Sequence, residues 1–461
     1  MKLLLASLAV VGIIYISSLN WRAAVKTVFL LIVMEGVLRK WVLPQASDMI
    51  YFLKDFVIIG AYLRYFFFSG KIRKFKIQLS WINSLIFLSA GWCIFQAFNP
   101  SLGSPLVGIF GLRSYLIYVP LMWMLPTLFE SQEELYKFLR MHLLLIIPVG
   151  LLGIAQFYSP PTSPLNVYAP GEVTVVSTFN STSDVRVTGT FSYINSYSGY
   201  LIACFCLLIP FLSLKQSKWW ALASLGEMLL LIINSFMSGS RSVVLAYVII
   251  LGLYIATKIF SNSSSNIRFL KQVMVAGIVI AIAASIWFRP AIDAFLLRTT
   301  SNQDLSNRVV LSLTEPYNFM KYKEIDGYGT GATHQGSRAL RNSLGLPNGE
   351  SIPTYYEEEM GRVALELGPF GFILWYVLRI SIVIDLGRLF WKLKIPFLQD
   401  LALIAFLLHL IQLRAQLVFH HTFSPYYWLL SGFIFLLPQL EQLEISYREQ
   451  KRKQKLLQQN V

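Results

Sequence analysis

Charge is scarce in this chain, and so are cysteine and any metal-binding pattern. Only 14% of the 461 positions are charged, 55% are hydrophobic, and mean hydropathy is +0.57. A soluble domain of this length would not carry so many apolar runs near bilayer-spanning length, so an integral membrane protein is expected. The three cysteines, Cys93, Cys204 and Cys206, all lie inside apolar runs. Their spacing fits neither a disulfide framework nor a metal site, and they read as small buried hydrophobes. No cluster of His, Cys and Asp has metal-ligand spacing, so no metal is expected. There are no internal repeats and no low-complexity segment beyond a basic tail.

The charge that is present is lopsided, with 39 Lys and Arg against 24 Asp and Glu, a net +15. In a soluble chain such an excess would suggest nucleic acid. In a membrane protein it first reports sidedness, and no nucleic-acid partner is expected. The opening MKLLLASLAVVGIIYISS resembles a signal peptide, but no small-residue cleavage pattern follows before Trp21, so it is read as a span. About thirteen apolar segments of spanning type follow one another. Their centres lie near Val10, Leu31, Ile58, Phe87, Leu116, Ile147, Cys204, Leu229, Ile249, Val279, Leu374, Ala405 and Phe433. Short basic connections (LNWRAAVK, SGKIRKFK, YKFLR, LKQSK, KIFSNSSSNIRFLK, GRLFWKLK and the tail SYREQKRKQK) alternate in phase with NPSLGSP, residues 159–190, MSGS and a long polar insert. The positive-inside rule places the first set in the cytoplasm and the second outside.

The expected fold class is therefore an all-α polytopic membrane protein of about 12–13 transmembrane helices. Membrane helices and a loop near 159–190 occupy residues 1–288, an external insert 289–366, three final helices 367–438, and a basic cytoplasmic tail 439–461. The loop at 159–190, rich in Ser, Thr, Pro and Val, suits a short hairpin or an ordered loop. An insert of this size is longer than a plain connection and is usually functional or disordered. Asn307 can cap a helix from Arg308 through Met320, and Gly327, Gly329 and Gly331 then make a tight turn.

Several charges break the membrane rules. Arg241 closes SFMSGSR, Arg113 lies in GIFGLRSYLIYVPL, and Arg186 in DVRVTGTF, each at an external boundary. Glu35, Arg39 and Lys40 sit on the same side, with Lys54 and Asp55 just inside the next span. Snorkelling of single arginines and i,i+4 pairing of Glu35 with Arg39 are the plain readings. Neither explains why cations gather where they should be rare. An anionic, phosphate-bearing ligand does, because guanidinium forks match phosphate oxygens.

The turn DGYGTGATH can cradle a phosphate with backbone N–H groups, but it lacks a GK[ST] ending and a preceding strand, so a plain glycine loop is favoured over a nucleotide site. His334, alone in a polar loop, reads first as a surface residue. Glu357, Glu358 and Glu359 precede an apolar helix. The helix dipole accounts for at least one acid there, but three exceed what capping needs.

Four stretches carry a resemblance: VTGTFSYINSYSGYL (187–201), SGSRSVVLAYVIIL (238–251), NRVVLSLTEPYNFMKYKEIDGYGTG (307–331) and ALELGPFGF (364–372). In order and topology the chain resembles the O-antigen ligase and O-antigen polymerase superfamily, over roughly residue 139 to the C-terminus. The resemblance implies a GT-C-like glycosyltransferase of the bacterial inner membrane. Such an enzyme moves a glycan from a polyprenyl-diphosphate carrier, such as undecaprenyl diphosphate, to a hydroxyl on a glycan or lipid acceptor. Arg241 and Arg308 would hold the diphosphate, with Arg113 or Arg186 in support. The family's histidine falls on Glu357, so Glu357, Glu358, Glu359 or His334 would serve as base, or activity is lost. No cofactor is implied. The alternatives are a transporter or flippase of an anionic lipid-linked sugar, and a non-catalytic assembly partner.

Overall fold

A computed structural model describes residues 2–68, 74–170, 175–179, 184–260, 288–300 and 304–459, with the isolated positions 277 and 286. Every regular element among the described residues is a helix, and they contain no strand. Part of the loop at 159–190 is described, and its pairing is antiparallel. One antiparallel bridge joins Thr178 to Val185, and the Val187 amide ties it to Met237 O at 3.1 Å.

The first half comprises α1 (Lys2–Leu19), α2 (Trp21–Val37), α3 (Leu53–Tyr62), α4 (Trp81–Ala97), α5 (Pro105–Leu116), α6 (Leu121–Leu128), α7 (Gln132–Leu143) and α8 (Ile146–Phe157). Then come α9 (Ile194–Ser213), α10 (Lys218–Met237) and α11 (Arg241–Phe260). Local chemistry sets several of these starts. Ser80 Oγ accepts the Asn83 amide before α4, and Ser131 Oγ accepts the Glu134 amide before α7. Each satisfies a donor that the first helical turn leaves orphaned. The insert supplies α12 (Arg289–Thr300), α13 (Asp304–Phe319) and α14 (Gly336–Leu344). The chain closes with α15 (Glu359–Lys392), α16 (Pro396–Ile411), α17 (Ser424–Ser431) and α18 (Phe433–Gln459).

Among the described residues five helices are long and apolar enough to cross a bilayer: the α7–α8 unit, α9, α10, α11 and α15. A sixth appears if α5 and α6, bent by 42°, count as one span. Large apolar side chains face outward, including Phe260 at 86% exposed, Trp219 at 82% and Trp391 at 74%. Exposed apolar surface of this kind suits a protein embedded in lipid. The apolar centres at Val10, Ile58, Phe87 and Ala405 fall on shorter helices, α3 having only 10 residues and α16 only 16. The segment around Val279 lies outside the described residues.

One helix positions the insert. α15 runs for 34 residues but breaks at Gly368, where φ is +69°. Pro369 has no N–H to give and disfavours helical geometry at the residue before it. Carbonyls upstream of the break are then free to accept. Leu365 O takes the Tyr328 amide at 2.7 Å and Glu366 O the Gly329 amide at 3.0 Å, while Leu367 O takes the Trp92 indole N–H at 2.9 Å. A Cβ at position 368 would lie 2.4 Å from the Asp326 carbonyl carbon, so glycine is required there. Phe319, Tyr328, Ala364 and Leu365 form a small core of their own, apart from the large one of the bundle. The insert is thus docked on a broken helix of the bundle.

Candidate functional site

Two clusters of ionisable side chains occupy the end of the bundle that carries the insert. The first is built around the turn between α10 and α11. Arg186 Nε donates to Ser238 O at 3.0 Å. A Cβ at Gly239, where φ is +63°, would meet Arg186 Nε at 2.8 Å, so the turn needs glycine for Arg186 to lie across it. Burial, then the charges of Arg298 and Arg241, push the Arg186 guanidinium down to about 10. Three arginines from three segments of the chain thus share one neighbourhood: Arg186 on the loop, Arg241 at the start of α11 and Arg298 near the end of α12. A group of guanidinium side chains matches phosphate chemistry.

The second cluster joins α3, α5, the glycine turn and the loop between α16 and α17. Arg113 Nε donates to Asp55 Oδ2 at 2.5 Å, and Tyr118 OH donates to Asp55 Oδ1 at 2.6 Å. The guanidinium lies 4.6 Å from the ring centres of both Tyr51 and Phe52. Arg113 is therefore an engaged cation, held by a carboxylate 58 residues away. Beside it His334 packs edge-on against Phe110 at 4.6 Å and faces His421, with the two Nε2 atoms 3.4 Å apart. Burial, followed by the charges of Arg113 and Arg362, pushes the His334 imidazole down to about 3. Burial and the neighbouring Arg113 hold His421 well below the ordinary range too. Both shifts favour the neutral imidazole.

Buried bonds fix the scaffold around them. Arg362 donates to Thr333 Oγ1 at 3.2 Å and Thr333 O at 2.8 Å, and covers the Phe419 ring at 3.5 Å. Glu366 accepts from Thr333 and from Tyr115 OH. Glu359 pairs with Arg379 at 3.3 Å and accepts the amides of Leu417 at 2.5 Å and Val418 at 3.0 Å. One member of the glutamate run thereby fastens the loop that carries His421.

The two clusters are connected through the turn that follows α2, residues Leu38–Val42. Arg39 bonds Glu35 and Ser192 and lies 5.2 Å from the Tyr51 ring centre. Lys40 donates to Thr188, Gly189 and Phe191, on the same loop as Arg186. Glu35, which the sequence pairs with Arg39, also binds Lys54.

The site residues expected from sequence are thus distributed unevenly. Arg186 and Arg241 are brought together, while His334 and Arg113 meet in the second cluster. Arg308 lies on α13, with its side chain outside the described residues. Glu357 is exposed, and Glu358 is the half-buried residue before α15, its amide donating to Glu315 Oε2 at 3.3 Å. The glycine turn does not offer its amides to a ligand. Those of Tyr328, Gly329, Thr330 and Thr333 are all spent on the bundle. His421, Arg362 and Glu366 are not singled out by the sequence reading. The adjacent His420 and His421, breaking two apolar runs in a chain of five histidines, were the available signal.

No protein-family profile matches this chain, and no curated protein sequence matches it.

Proposed function

We propose that this chain is a membrane glycosyltransferase of the O-antigen ligase or polymerase kind. It moves a glycan from a polyprenyl-diphosphate carrier to an acceptor hydroxyl during surface polysaccharide or lipopolysaccharide assembly. In this reading the insert and both clusters face outward from the bacterial inner membrane, the shorter apolar helices complete a set of about thirteen spans, and the basic tail is cytoplasmic. The observation that carries it is the gathering of Arg186, Arg241 and Arg298 at the α10–α11 turn. Outside the cell a glycosyl donor must be lipid-linked, since nucleotide sugars are cytoplasmic. Its leaving group gains negative charge as the glycosidic bond breaks, and preformed guanidinium groups stabilise that charge without reorganising. A neighbouring base then takes the proton of the attacking hydroxyl.

A transporter of an anionic lipid-linked sugar is the second reading, and one observation favours it. Arg140 and Glu227, 3% and 0% exposed, pair at 2.7 Å inside the bundle, so charge is not confined to the insert end. Against it, the pair is closed on itself, and buried pairs of this kind serve structure as often as transport.

The test is replacement of Arg241 and Arg186, singly, by Ala in the native host. Loss of surface glycan attachment or a collapse of chain length, with the protein present in the membrane at its normal level, supports the transferase. Normal surface glycan in both variants would end it.

A further inference from the structure

The hydrogen bonds around the two histidines assign their tautomers. The Gly336 amide donates to His334 Nδ1 at 3.0 Å. A neutral imidazole nitrogen that accepts has no proton, so the His334 proton is on Nε2. That proton points at His421 Nε2, 3.4 Å away, which must then be the unprotonated nitrogen of its own ring. Arg113 Nη1 addresses the same atom from 3.5 Å. Both separations sit at the outer limit of hydrogen bonding, so the His421 lone pair is oriented but not consumed. Long contacts of this type are common in catalytic groups awaiting substrate. Arg113 Nη2, buried and without a hydrogen-bond partner, lies at the same spot.

We propose that His421 Nε2 accepts the proton of the attacking hydroxyl and that His334 is the residue that positions it. The inference rests on the glycosyl-transfer reading and assigns the base to the loop between α16 and α17 rather than to Glu357 or Glu358. The acceptor oxygen forms its bond to the anomeric carbon. The bond from that carbon to the diphosphate oxygen breaks, and its electron pair leaves on the lipid diphosphate. The hydroxyl proton passes to His421 Nε2 and later to water. Two features suit His421 to this task and Glu357 less well. His421 is 8% exposed and packs edge-on against Tyr51, while Phe110 and Phe419 flank the adjacent His334, so rings on which a sugar can stack surround the pair. Arg39 and Lys40 connect it to the arginine cluster, whereas Glu357 is exposed to solvent.

The experiment uses the native host, reading surface glycan on gels and protein level in membranes. His421→Ala and His421→Gln are expected to lose transfer by about 100-fold or more. His334→Gln keeps a donor near the Nε2 position and should stay within about tenfold of wild type, whereas His334→Asn cannot reach that position and should fall further. If His421→Gln accumulates normally with unchanged glycan while Arg241→Ala abolishes it, the assignment of the base is wrong and the transferase reading stands. If Arg241→Ala is also silent, the transferase reading itself fails.

A second measurement needs no variant. Spheroplasts of the wild type, using their own lipid-linked glycan, are treated with diethyl pyrocarbonate, and His421 carbethoxylation is followed by mass spectrometry. Transfer should fall in step with modification of His421 and return with hydroxylamine. Transfer that persists when His421 is fully modified would overturn the proposal.

Discussion

Glu366 Oε1 accepts both the backbone amide of Thr333 at 2.8 Å and its hydroxyl at 2.7 Å. These two bonds, with the Tyr115 hydroxyl on Oε2 at 2.9 Å, pin the glycine turn to the membrane bundle from inside a helix that is broken two residues later. Glu366→Ala would leave Thr333 and Tyr115 buried without their acceptor. The expected cost is roughly 3–5 kcal/mol. It should appear as a lower unfolding temperature in detergent and as protease cleavage within residues 345–357. Unchanged protease resistance would show that the insert is held by something else.

Arg113 and Asp55 make a second buried commitment, 10% and 3% exposed. Arg113→Met alone leaves a buried carboxylate and should cost about 3–5 kcal/mol, and Asp55→Leu alone leaves a buried guanidinium. The double variant Arg113→Met with Asp55→Leu removes both charges and should recover most of that loss. Thermal denaturation of the two singles and the double measures the coupling. Additive effects would contradict a direct ion pair.

How much of this was readable beforehand follows from sequence distance. Local pairings were legible: Glu35 with Arg39, four residues apart, is paired as expected, and the expected helix from Arg308 to Met320 is present as α13, beginning at Asp304. The break at Gly368–Pro369 was visible as LGPFGF, but its consequence was not, because the carbonyls it frees are taken by amides near Gly329. Arg113 looked like a cation awaiting a ligand because its partner, Asp55, lies in another apolar segment. His334 looked solitary because its partner, His421, is 87 residues further on. Helices of 10 to 17 residues read as full spans because an apolar run does not reveal where its helix stops.

The sidedness can be tested directly, since the native cysteines are buried and give little background. Cysteine placed at the exposed Ser343 should react with an impermeant maleimide in intact spheroplasts. Cysteine at the exposed Ser446 should react only after lysis. The reverse pattern would invert the topology.

Docking of the glycine turn should depend on pH in a stated direction. His334 is held neutral down to about pH 3, against 6.5 for a free imidazole. A depressed folded value means that stability is complete above about 6.5 and is lost as pH falls from there toward about 3. The slope is about 1.4 kcal/mol per pH unit for each histidine released. Hydrogen exchange of the amides from 329 to 337, corrected for intrinsic rates, should accelerate between pH 7 and pH 5. His334→Gln should flatten that response. Identical pH dependence in wild type and variant would remove His334 as its source.

The arginine cluster supports the most direct measurement. Purified protein in nanodiscs is titrated with undecaprenyl diphosphate lacking any glycan, alongside Arg186→Ala and Arg241→Ala. Charge-assisted hydrogen bonds contribute about 1.5–3 kcal/mol each, so each variant should bind at least about tenfold more weakly than wild type. Equal affinity in all three proteins, or no binding by the wild type, would contradict the account.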